Sequence, residues 1–265
     1  MHPAHALPAG RVTMGAGVSN NFVLGDADRS IEEARAATQP LGAISEPSAQ
    51  QTYAAGAIAH TLGAPGLAPW VGARAGIGYT SDAGLTYTGR TVRADARHAF
   101  QNEKLALSAG GGLSGVLARP GEDTPGSSGG RQLGAAPGSS AIPGLDARGV
   151  TGWGADVPVI VGYRSDAELV QVYGGARGGY ERLTGEIRLN VDPNAQTIQT
   201  AQLSASRWYV GGLLGVAVGV RPIWAVVELA ANYMRFEGEL DWQDTGPVKL
   251  DGVTLQPSGA VVGKF

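Results

Sequence analysis

The chain has 265 residues, no cysteine, 42 glycines and a formal net charge of -3. Without cysteine there is no disulfide frame and no thiolate metal site, and the near balance of charge gives no electrostatic case for nucleic acid. Glycine stands far above its ordinary share of roughly 7 per cent, without the period of three that marks collagen, and no charge block divides the chain, so a single domain over 1–265 is expected.

Residues 1–9 read as a flexible N-terminal segment. Met1 to Pro8 has neither the charged start nor the apolar run of an export signal, so an exported protein of this sequence is expected in processed form. Ten segments follow in which apolar residues alternate with polar or small ones, separated by turn chemistry. Arg11 to Ser19 sets Val12, Met14, Ala16 and Val18 on one face. Between it and the next segment, Asp26 to Thr38 has an acidic first turn followed by helix-favouring residues, which predicts a short helix. Either a solvated surface helix or a partner-binding or lumen-plugging one fits that pattern.

Gln51 to Leu62 is a weak second strand, legible in either register. Trp70 to Thr80 sets Val71, Ala73, Ala75, Ile77 and Tyr79 against Arg74, Gly76 and Gly78, and Leu85 to Phe100 sets Val92, Ala94, Ala96 and Phe100 against Arg93, Asp95 and Arg97. Lys104 to Leu117 opposes Leu105, Leu107, Ala109 and Leu113 to Ser108, Gly110, Gly112 and Ser114. Arg119 to Val150, rich in Pro, Gly and Ser, reads as a flexible loop. Alternation resumes at Trp153 to Tyr163, with Asp156 on the polar face, and at Leu169 to Arg182, with Arg177 and Glu181 there. It continues with Arg207 opposing Trp208 to Val220, and with Ile223 to Tyr233 opposing Glu228. The last strand places Val253, Leu255, Gly259, Val261, Gly263 and Phe265 on one face and Thr254, Gln256, Ser258 and Lys264 on the other.

A half-apolar strand that ends on an aromatic residue resembles the closing strand of a bacterial outer-membrane β-barrel, and the alternation with Trp or Tyr at the segment ends resembles the small OmpA-like and OmpW-like barrels along nearly the whole chain. The fold implied is an all-β, transmembrane, antiparallel up-and-down barrel of about ten strands, with eight and twelve as the neighbouring even counts. The resemblance implies a bacterial outer-membrane location, contact with outer-membrane lipids, and assembly by the barrel assembly machinery through a C-terminal signal of Leu255, Val261 and Phe265. Envelope protein partners would be met through the outer loops. No uncharged stretch reaches the roughly 20 residues of a membrane helix, whereas a tilted strand needs about 9 to 11. With the first strand rising outward, the longer connections (20–50, 119–150, 183–199, 241–247) fall outside and the short ones (63–69, 101–103, 164–168, 221–222) inside, with 81–84 as a short outer exception. A soluble sandwich or barrel is the alternative, but the face opposite the apolar stripe is glycine, serine and charge, which suits a lumen better than a core.

That lumen would be lined by Arg74, Arg93, Asp95, Arg97, Asp156, Arg177, Glu181, Arg207 and Glu228. In so narrow a barrel opposite charges should pair, because an isolated charge out of water is expensive. A salt-bridged plug is therefore the first reading and a narrow channel for ions or small solutes the second. Enzymatic activity is a distant third: His60 and His98 fall near inner turns, and His2 and His5, though spaced like metal ligands, lack a rigid frame. No catalytic residue, metal or cofactor is expected. Gly110, Gly112 and Gly115 match G-x-G-x-x-G, but Arg119 and Pro120 follow where a dinucleotide-binding helix would have to run.

Overall fold

In the computed structural model the described residues are 4–37, 47–116, 142, 145–165, 169–192, 197–220, 222–242 and 245–265. Ten strands close into one antiparallel barrel: β1 (Val12–Leu24), β2 (Gly66–Gly76), β3 (Ser81–Tyr87), β4 (Thr91–Gln101), β5 (Leu105–Val116), β6 (Asp146–Arg164), β7 (Val170–Asp192), β8 (Thr197–Val220), β9 (Ile223–Asp241) and β10 (Val248–Lys264). Each strand pairs with its neighbours in sequence, and β10 returns to β1 with Thr13 opposite Lys264 and Leu24 opposite Val253. Closure leaves no unpaired edge, which a sheet in hydrocarbon cannot afford.

On β9, outward-facing Ile223, Val227, Leu229 and Tyr233 are exposed while Trp224, Glu228 and Asn232 are buried inside. Equivalent exposed apolar residues cover the neighbouring strands, from Val157, Val159 and Val161 on β6 to Val210, Leu214 and Val216 on β8. An apolar belt of this extent makes the barrel a membrane-spanning one. One margin of the belt is aromatic: Trp153 and Tyr180 pack with tilted rings 5.6 Å apart between centroids, as do Trp208 and Tyr233. From Ile223 to Tyr233 the belt spans the length a tilted strand needs.

Beyond that aromatic ring the chemistry of the wall reverses. Arg235, Glu237 and Glu239 of β9 and Gln202 and Ser204 of β8 face out, and Met234, Phe236, Leu240, Leu203 and Ala205 face in. The apolar interior receives two helices, α1 (Asp26–Ala37) and α2 (Pro47–Gly63), through Ala27, Ile31, Ala34, Tyr53, Ala57, Ile58 and Leu62. The helices cross closely at Gly56, where a Cβ would strike the Ala34 side chain and the Ser30 carbonyl. This is the helical end of the barrel; both chain termini lie at the other, the terminal end.

The strand count matches the sequence reading, but two differences cancel within it. Gln51–Leu62 is not a strand but most of α2: alanines and Gly56 give no clear alternation, and Ala is the best helix former. Leu85–Phe100 is not one strand but two, broken at Thr88–Arg90, where Gly89 takes a positive φ of 75° that a residue with a side chain rarely adopts. The short turn at 81–84 accordingly disappears into β3; the turn is 77–80, at the terminal end, and the connection from α2 to β2 lies at the helical end. The loop expected over 119–150 lies outside the described residues except for Ile142, Leu145 and the first part of β6, which begins at Asp146.

Residues 4–7 of the segment expected as a flexible lead-in pack into the terminal end of the barrel. Ala4, His5 and Ala6 are buried. The Ala6 amide donates to Gln101 Oε1 at 2.7 Å, the Leu7 amide to Asp82 Oδ2 at 2.9 Å, and Arg97 Nη2 to the His5 carbonyl at 3.0 Å. Gly76 makes room for the crossing, since a Cβ there would meet the Leu7 and Pro8 carbonyls.

Candidate functional site: the barrel lumen

All nine charged residues read from the sequence as lumenal lie on the inward face, and their partners divide them into two groups. Along β2, β3, β4 and β6 charges alternate in a continuous chain. Asp82 takes both Arg97 Nε and Nη2 at 2.8 Å and also pairs with Arg74. Arg74 pairs in turn with Asp95. Asp95 accepts from Arg93 Nη1 at 2.6 Å, and Arg93 reaches Asp156 through Nε and Nη2 at 2.8 and 2.7 Å. Three arginines and three aspartates thus neutralise one another, with Asp82 and Arg97 buried. Bidentate geometry makes the Arg97–Asp82 and Arg93–Asp156 contacts strong, and removal of any one member would leave the network with an unbalanced charge.

Across the lumen the pairing is different. Glu181 accepts from Arg207 Nε at 2.9 Å. Arg177, expected to pair with an acid, instead donates to two neutral amides, Asn232 Oδ1 at 3.0 Å and Gln256 Oε1 at 3.1 Å. Its guanidinium lies 5.9 Å from the centre of the Tyr209 ring, as does that of Arg207. Glu228 accepts from the Tyr173 hydroxyl at 3.0 Å.

Lumenal glycines leave space, as the composition suggests, but much of it is filled from the adjacent strand. Arg74 stands opposite Gly84, Tyr173 opposite Gly215, Tyr209 opposite Gly179, Asn232 opposite Gly211 and Trp224 opposite Gly219. In each pair the long side chain lies across its glycine: a Cβ on Gly179 would come within 2.6 Å of the Tyr209 hydroxyl, and one on Gly84 within 2.8 Å of Arg74 Nη2. The glycines let guanidinium and aromatic groups lie flat against the wall.

The carboxyl-terminal turn of α2 points down into the lumen and is held by the wall. Arg90 Nη2 donates to the Thr61 carbonyl at 2.7 Å, Arg207 Nη1 to that of Leu62, and Asn21 Nδ2 to that of Gly63. These carbonyls have no helical partner and carry the negative end of the helix dipole; the two guanidinium groups satisfy both needs, and the neutral Asn21 amide supplies the third hydrogen bond. Burial and the nearby Arg90 and Arg35 push the His60 imidazole down to about 4, so it is neutral at ordinary pH. His60 therefore sits in the last turn of α2 at the helical end, not near a terminal-end turn as expected. His98 is at the terminal end, on the outward face, with Nδ1 2.9 Å from Ser81 Oγ and its ring edge-on to Phe100. Among the described residues no group of three or more His, Cys, Asp or Glu could hold a metal.

Beneath α2 a cavity of about 700 Å³ runs from the two charge groups to the rim at the terminal end, where the segment His5–Pro8 forms part of its wall. Sequence reasoning missed Asp82, which it placed in a turn, and Tyr173, Tyr209, Asn232 and Gln256, which alternation puts on the polar face without marking them out. The C-terminal residues Val261 and Phe265 are exposed on the outward face of β10, and Leu255 shares that face, half-buried.

No protein-family model matches the chain, and no curated protein matches it. Among solved structures, Neisserial surface protein A (NspA) aligns over 97% of this chain and 99% of its own, at 13% identity and a TM-score of 0.32. The CymD monoaromatic hydrocarbon channel aligns over 98% and 89%, at 10% identity and a TM-score of 0.30. The RagAB peptide importer aligns over 98% of this chain but 41% of its own, at 10% identity and a TM-score of 0.29. Likeness this loose carries no argument; the barrel rests on its strand pairing and its apolar belt.

Proposed function

We propose that this chain is a bacterial outer-membrane barrel with a closed lumen, acting as a structural or binding protein of the cell envelope and not as an enzyme. The observation that carries the reading is the docking of α2: its last carbonyls are held by Arg90, Arg207 and Asn21, so the helix fills the barrel mouth as an integral part of the wall's hydrogen bonding. The paired charges below it support the same conclusion, since mobile ions would have to break contacts made in a low-dielectric interior. Short turns at the terminal end favour placing that end in the periplasm and the helical end outside. Lipids would cover the belt, the assembly machinery would engage Leu255, Val261 and Phe265, and envelope partners would meet the helical end.

Planar-bilayer recording tests this directly. The wild-type protein should be silent, and a variant lacking residues 26–63, with the gap bridged by a short Gly-Ser linker, should conduct. Steady, ion-selective conductance in the wild type would overturn the closed reading in favour of a narrow channel, the second reading, which draws on the cavity beneath α2.

A further inference from the structure

We infer that the lumenal cavity is a binding site for a small organic carboxylate, with Arg177 as the group that receives its head. The inference goes beyond the closed-barrel reading and does not depend on which way the barrel faces. A volume of about 700 Å³ lies within the roughly 300–1,000 Å³ of small-molecule pockets. Its lining joins apolar surface from Trp224, Val226, Ala217 and Pro158 to the faces of Tyr173 and Tyr209, which suits an organic body better than a bare inorganic ion.

Charge bookkeeping singles out Arg177. Asp95 and Asp156 are engaged by Arg93, Glu181 by Arg207, and Glu228 by the Tyr173 hydroxyl. Arg177 meets no carboxylate among the described residues; its polar contacts are the amide oxygens of Asn232 and Gln256. Those two amides orient the guanidinium without neutralising it, and an un-neutralised cation away from bulk water gains most from a charge-assisted, forked pair with a carboxylate. Arg11, Arg164 and Lys264 line the cavity at its terminal-end rim, so cations stand along the approach and would draw an anion inward.

The test uses the full chain in detergent at low salt, with titration calorimetry against hexanoate, hexanamide and inorganic phosphate, and with protein-free micelles as the blank. Hexanoate should bind saturably, with hexanamide and phosphate at least tenfold weaker. Arg177→Gln should weaken hexanoate at least tenfold, while Arg182→Gln, on the outward face, should leave it unchanged. Absence of hexanoate binding, equal binding of hexanamide or phosphate, or hexanoate binding that survives Arg177→Gln would each overturn the assignment. Should Arg177→Gln fail to give the heat-modifiable gel shift of a folded barrel, the contrast between hexanoate and hexanamide on the wild type still decides.

Discussion

Below the ring of Trp153, Tyr180, Trp208 and Tyr233 the barrel is apolar outside and polar inside; above it the same strands are polar outside and apolar inside. Strand β9 carries both halves without a break in alternation, Leu229 out and Glu228 in giving way to Glu237 out and Phe236 in. Backbone geometry is constant across the change, so it is the surroundings on each side that invert: lipid around the belt and water around the extension outside, the polar-lined cavity below and the helices above inside. The membrane half is held by hydrogen bonds and paired charges facing the lumen. The helical half is held the way a soluble domain is, by an apolar core.

The sharpest way to break that comparison is to empty the core of the upper half. Phe236 is completely buried against the helices, so Phe236→Ala should cost about 3–5 kcal/mol. Denaturant unfolding from detergent should show the loss, with proteolysis of α1 and α2 preceding that of the barrel. A loss below about 1 kcal/mol would mean that the helices are not anchored by this core.

Next in size is a matched pair on the outward face of the lower and upper halves. Leu229→Arg places a charge in the belt and should cost about 2–4 kcal/mol in bilayers. Glu237→Arg stands on the same face beyond the ring, where its contacts to Arg235 at 3.4 Å and Lys249 at 4.0 Å are solvent-exposed, and should change stability by no more than about 0.5 kcal/mol. Equal costs would remove the membrane boundary from Tyr233.

The inversion also explains what the sequence could and could not reveal. Alternation with apolar residues on one phase is legible from Trp208 to Val220 and from Ile223 to Tyr233, and those limits are the membrane limits. Beyond them the phase of the apolar residues switches, so 183–199 reads as a connection although β7 runs on to Asp192 and β8 starts at Thr197, and the alternation of β9 stops at Tyr233 although the strand continues to Asp241. The alanine-rich α2 was illegible for a different reason: small residues mark neither period, and its place inside the barrel depends on Leu203, Ile187 and Phe236, far along the chain. The lumenal charges were legible as a face, but not their partners, because whether Arg177 meets Glu181 or Asn232 depends on register and on side-chain reach across the lumen.

Protonation should expose the upper half selectively. His60 has a folded-state value of about 4 against an ordinary 6.5, so the unfolded chain binds its proton more readily. The stability tied to the neutral ring is fully present above about pH 6.5, falls as pH drops toward 4 and levels off below that. At 1.36 kcal/mol per unit the ceiling is about 3 kcal/mol, less to the extent that water reaches the partly exposed ring. His60→Gln should flatten this part of the curve of stability against pH; an unchanged slope would mean that His60 is not the group responsible.

The smallest expected effect tests the lower half through its glycines. A Cβ on Gly215 would press on the Tyr173 ring, whose hydroxyl holds Glu228, whereas one on Gly115 meets nothing within 4 Å. Gly215→Ala must push Tyr173 off the wall and into the cavity, loosening its bond to Glu228, at a cost of about 1–3 kcal/mol. Gly115→Ala should be neutral or slightly stabilising, since it only narrows the freedom of the unfolded chain. Thermal unfolding of the two variants in the same detergent gives the comparison. If both behave alike, the lumenal glycines are not seats for the side chains opposite them, and the cavity owes its shape to something other than the flattened Tyr173.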